Sequence, residues 1–199
     1  MFTKTRCICC AKPTNALMVG ILLCLSMSLA AAQTSMPQPV LPFVERNICP
    51  GEYCLYGTWT ARKTVLVYDT WQSGRRRIAQ IASKQDVVAR TGLVVTERPG
   101  IIRMDRDLAE QGLEKGDTLF TYTYRGEGFS AVWFHGKFYP EFDISFARWP
   151  DGSGCGGGHC AATYTDLGNK TWWAEVRLPN GTVGWVDATR ADFDIHAKP

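Results

Sequence analysis

The stretch Trp172 to Ala188, WWAEVRLPNGTVGWVDA, writes a β-hairpin in full. Two runs of β-branched and aromatic residues flank Pro179-Asn180-Gly181. Proline presets its own φ and glycine accepts positive φ, so the chain must reverse there. Nothing in the stretch supplies a nucleophile, a base or a metal cage. It speaks for fold rather than for chemistry.

Working outward, the same grammar repeats. Thr118 to Tyr124 alternates apolar and polar residues, Gly126-Glu127-Gly128 turns it into Phe129 to Phe134, and His135-Gly136-Lys137 turns that into Phe138 and Tyr139. That is a three-stranded meander. Further strand-like runs lie near Tyr56 to Ala61, Thr64 to Tyr68, Arg77 to Ile81, Val87 to Thr96 and Ile101 to Met104, separated by turns around Gly74, Gln85 and Pro99. Asp105 to Leu113 is the one candidate for a helical turn, with early acids and Gly112 to end it. Aromatic and glycine content with few helical patterns predicts an all-β protein of short strands.

The N-terminal residues carry Lys4, Arg6 and Lys12 with no acid, then an apolar block, then Ala30-Ala31-Ala32. That is the layout of a secretory signal over residues 1–32, shorter in its apolar part than the ~20 residues of a spanning helix. Its removal takes away three cations and no acid, leaving nineteen of each sign. A chain with no net charge has no global field to draw it to nucleic acid or anionic lipid. The local exception, Arg75-Arg76-Arg77, follows Gln72-Ser73-Gly74 and reads first as a solvated loop tip. Residues 33–48 contain Pro37, Pro39 and Pro42 and read as an extended linker that wraps or dangles.

Beyond residue 32 four cysteines remain, Cys49 and Cys54 in CPGEYC and Cys155 and Cys160 in CGGGHC. In an exported chain an even count reads as disulfides, and the short spacers favour Cys49 with Cys54 and Cys155 with Cys160, although four cysteines allow three pairings. A zinc site using both pairs, or His159 in place of one sulfur, is disfavoured by the spacing and by an oxidising compartment. No metal or cofactor is expected. A catalytic Cys160 beside His159 is poorly arranged, because neighbours on an extended chain face opposite sides. His135 and His196 read as surface residues.

KGDTLFTYTYRGEGFSAVWFHGKFY and WWAEVRLPNGTVGWVDA resemble the strand series of bacterial SH3-like (SH3b) domains, in particular through Glu175-Val176 and Gly181-Thr182-Val183-Gly184-Trp185-Val186. The resemblance implies one or two small SH3-like barrels, closely packed or interleaved, with a first module over 49–104 and a second over 105–199. It also implies an exported, periplasmic or secreted, non-enzymatic module that binds a cell-envelope peptide, glycan or protein, with Tyr68, Trp71, Trp133, Trp172 and Trp185 as candidate contacts. Each of these aromatics has a plainer reading as barrel filling. Trp172 and Trp173 are neighbours on one strand, so they face opposite sides of it.

Two other functions compete. A hydrolase would draw paired carboxylates from Glu127, Glu141, Asp143 and Asp151, though their spacing does not demand it. A structural or inhibitor-like protein would display CGGGHC on a pinned loop. Asn169-Lys170-Thr171 and Asn180-Gly181-Thr182 fit the glycosylation pattern, which matters only in a eukaryote.

Overall fold

The computed structural model describes residues 37–48, 55–155 and 158–195. The expected signal segment and the Cys49–Cys54 pairing lie outside the described residues. Among those described there is no α-helix, and the expected all-β architecture is what the chain adopts, in two curled sheets.

The first sheet takes its strands from both ends of the described chain. They are β1 (Phe43–Arg46), β2 (Gly57–Ala61), β3 (Val65–Tyr68), β4 (Arg77–Ile81), β5 (Asp86–Arg98), and then β12 (Asn169–Arg177), β13 (Val183–Asp187) and β14 (Phe193–Ile195). Their order is β14-β2-β5-β12-β13-β3-β4, with β1 also paired to β5. The second sheet holds β6 (Gly100–Met104), β7 (Thr118–Gly126), β8 (Phe129–Phe134), β9 (Lys137–Asp143), β10 (Ala147–Arg148) and β11 (Ala162–Asp166), in the order β10-β11-β6-β7-β8-β9. Pairing therefore runs across residue 104, where β6 meets β7, and joins β5 to β12 over a wide sequence gap.

Local turn chemistry accounts for the hairpins. Leu178 N–H donates to Thr182 O, Gly181 N–H donates to Leu178 O, and Gly181 sits at φ 86°. The β7–β8 and β8–β9 connections place Glu127-Gly128 and His135-Gly136 at positive φ, the twist that two-residue hairpins need. The expected helical turn is a short 3-10 segment, Ala109–Gln111, closed by Gly112 in the left-handed region. Within the segment read as a linker, Phe43–Arg46 is a paired strand, with Phe43 opposite Thr96 and Arg46 opposite Leu93.

Each sheet has its own core. Trp59, Val67, Ile81, Ala174, Val176 and Val186 fill the first. Ile102, Leu119, Val132, Ala162 and Tyr164 belong to the second. A smaller cluster of Leu93, Val95 and Trp173 lies on the opposite face of the first sheet, with Val44, Tyr68, Trp71 and Trp185 packed against it. A bulge makes this second face possible. Thr91 pairs with Glu175 and Ala89 with Val176, leaving Arg90 as an extra residue. Val87 and Ala89 therefore point into the first core while Leu93 and Val95 turn to the other side.

Candidate functional site

The small cluster on the outer face is the floor of a groove. Trp173 is 4 % exposed and sits between Leu93 of β5 and Asp187 of β13. The hairpin loop joining β3 to β4 folds beside it. At the loop's base Asp69 N–H donates to Arg76 O, and the Asp69 carboxylate accepts from the Arg76 backbone N–H and Nε at 2.9 and 3.0 Å. These donors hold the Asp69 carboxyl below its ordinary range.

Pinned at its base, the loop delivers Trp71 and Arg75 to the groove. The Arg75 guanidinium lies 4.8 Å from the Trp173 ring centroid and 5.4 Å from that of Tyr68. Tyr68 in turn meets Trp173 edge-on at 6.0 Å. Arg46 of β1 lies 5.6 Å over the Trp71 ring. The resulting groove has a volume of about 770 Å³, with Leu41, Pro42 and Trp71 as apolar lining and Asn169 and Thr171 along β12. A smaller cavity of about 190 Å³ adjoins it and shares Arg75, Trp173, Asp187 and Arg190. Asp187 accepts the Thr189 and Arg190 backbone N–H groups and meets Arg190 Nε at 3.5 Å. Glu97 accepts from Asn169 Nδ2 at 2.6 Å.

No family model, curated protein or solved structure matches the chain. The site therefore rests on its geometry.

Of the five aromatics singled out from sequence, the fold gathers Tyr68, Trp71 and Trp185 around the Trp173 cluster. Trp71 lines the groove and Tyr68 the adjoining cavity. Trp172 goes elsewhere. It packs on the first core, edge-on to Trp59 at 5.5 Å. Trp133 is in the second sheet, 5.7 Å from Phe120. The strand-parity argument separates Trp172 from Trp173, and it is Trp173 that faces the groove. Arg75, from the basic run expected to be a solvated loop tip, lines the site instead, and Arg190 and the Leu41-Pro42 pair belong to it with no motif of their own.

Cys155 and Cys160 are joined by a disulfide, as their spacing suggested. Among the described residues no group of three or more metal-binding side chains converges. The acids weighed for hydrolysis are dispersed in role. Glu127 is a turn residue at φ 48°, Asp143 accepts from Ser145 N–H, and Glu141 lies exposed on β9. Asp151 accepts from the Ser153 hydroxyl and backbone N–H, which hold its carboxyl below the ordinary range. A general acid needs the opposite shift.

Proposed function

We propose that the chain is an exported, non-enzymatic binding module of the bacterial SH3-like kind, whose groove over Trp173 takes a peptide, glycan or protein of the cell envelope. The observation that carries this reading is the groove itself. An aromatic floor, a loop held down at its base and a strand with polar side chains face one another across a volume of ligand size. The order β14-β2-β5-β12-β13, with the β3–β4 hairpin alongside, supports the barrel reading that the Gly-Trp-Val motif implied. The Cys155–Cys160 disulfide accords with an oxidising compartment.

The test is a pull-down of the purified oxidised protein on peptidoglycan, with tryptophan fluorescence titration against soluble stem-peptide fragments. Trp71→Ala removes a groove wall, whereas Trp173→Ala would also empty a buried site, with an expected loss of about 3–5 kcal/mol of stability. Saturable binding lost in Trp71→Ala, with near-UV circular dichroism unchanged, is the expected result. Absence of binding would remove the wall ligand and direct the search to an envelope protein, by cross-linking in native envelopes.

A further inference from the structure

We infer that the groove over Trp173 recognises an extended peptide through a carboxylate held by Arg75 and Arg46, an inference that rests on the groove being a binding site. At the groove and its loop, Arg76 and Arg190 each meet a carboxylate, Asp69 and Asp187 respectively. Arg75 and Arg46 meet none among the described residues. Both instead lie over aromatic rings, Arg75 over Trp173 and Tyr68, Arg46 over Trp71.

Stacking occupies the face of a guanidinium and leaves its in-plane N–H donors for other partners. Arg75 uses one of them in a long contact, Nη1 to Gln72 O at 3.4 Å. The ring contacts also restrict the side chain beforehand, so less freedom is lost when an anion arrives. The acids of the groove do not compete strongly for these donors. Asp187 is engaged by Arg190 and two backbone N–H groups, and Glu97 by Asn169. With no carboxylate partner among the described residues, Arg75 in the groove lining and Arg46 over the Trp71 ring thus favour an anionic group bound bidentately. The apolar wall of Leu41, Pro42 and Trp71 favours a ligand with apolar side chains next to its charge. A peptide carrying Asp or Glu, or ending in a free carboxylate, has both properties.

The experiment is an array of immobilised hexapeptides in which each position is varied through all twenty residues, made with free and with amidated C-termini. It is probed with the purified full chain, with Arg75→Gln, with Arg46→Gln and with Arg77→Gln. Arg77 lies at the base of the same loop, opposite Tyr68 in the strand pairing, and serves as the charge control. The expected result is enrichment of Asp and Glu, or of free C-termini, among the binders. Affinity should fall ~10-fold in Arg75→Gln and Arg46→Gln, as loss of a charge-assisted hydrogen bond implies, and remain unchanged in Arg77→Gln. Enrichment of acidic side chains in amidated peptides assigns the carboxylate to the side chain, and dependence on the free end assigns it to the terminus. Binding without anionic preference, or equal losses in all three variants, overturns the carboxylate inference and leaves the groove standing as a site. Absence of any binder overturns the peptide inference and leaves the groove to a glycan or a folded protein.

Discussion

Lys170 places an ammonium where solvent is scarce. Its Nζ reaches Thr121 Oγ1 at 3.4 Å and Leu167 O at 3.3 Å. Burial pushes its pKa down to about 8. An unfolded lysine titrates near 10.4. Below pH 8 both states hold the proton, so the full cost of burying the charge opposes folding. Between pH 8 and about 10.4 the unfolded state binds more protons than the folded one, so stability rises with pH, and above that window the cost is gone. Lys170→Met keeps a similar apolar stem without the charge. At pH 7 it should be more stable than the parent by roughly 2 kcal/mol. Urea unfolding at pH 7 and at pH 10 checks this, with the gap between the two proteins expected to narrow at the higher pH. A gap of the same size at both would assign the difference to packing instead.

At the scale of elements, β5 and β12 cross other groups so closely that glycine is required. A Cβ on Gly92 would lie 2.5 Å from the Tyr56 hydroxyl, 2.8 Å from Trp172 Nε1 and 2.8 Å from the Trp173 carbonyl. The carbonyl belongs to the paired strand and cannot step aside without breaking the ladder, so Gly92→Ala should destabilise by about 1–3 kcal/mol, as overpacking does. Gly181→Ala is the comparison. Nothing lies within 4 Å of its Cβ, and only the positive φ opposes the change, at about 1 kcal/mol. Chemical unfolding midpoints of the two variants should fall in that order. The contrast also marks what the sequence could reveal. The Gly181 hairpin was legible because its turn is decided by three adjacent residues, and β4 and the meander were legible for the same reason. The need for glycine at position 92 was not, because it arises from Tyr56, just before β2, and from β12. The groove was half legible for a related reason. Alternation separates Trp172 from Trp173, but which of them meets a ligand depends on the β3–β4 loop and on the Arg90 bulge that reverses the faces of β5.

The arrangement of the two sheets is a matter for the whole molecule. The first sheet is built from residues before Pro99 and after Gly168, and the second from what lies between. The two crossing points are adjacent. Arg98 stands opposite Asn169 in the β5–β12 register, and a Cβ on Gly168 would lie 2.4 Å from Arg98 O and 2.6 Å from Gly100 N. The chain therefore leaves the first sheet and returns to it at one place, a geometry that sequence reading does not reach because it is set by contacts spanning seventy residues. Chain ends that lie together are the condition under which a domain can be inserted or removed. Replacing 99–168 with a two-residue Asn-Gly turn would convert β5 and β12 into a direct hairpin. Such a variant should keep the first core and the Trp173 groove, at reduced stability because the contacts of β5 with β7 of the second sheet and the Arg125–Glu45 ion pair to β1 would be lost. Heteronuclear NMR would show dispersed signals for the first sheet and retained cross-strand contacts between Leu93 and Trp173. A collapsed spectrum would mean that the second sheet is required to hold the first one closed, and that the two units form a single cooperative fold.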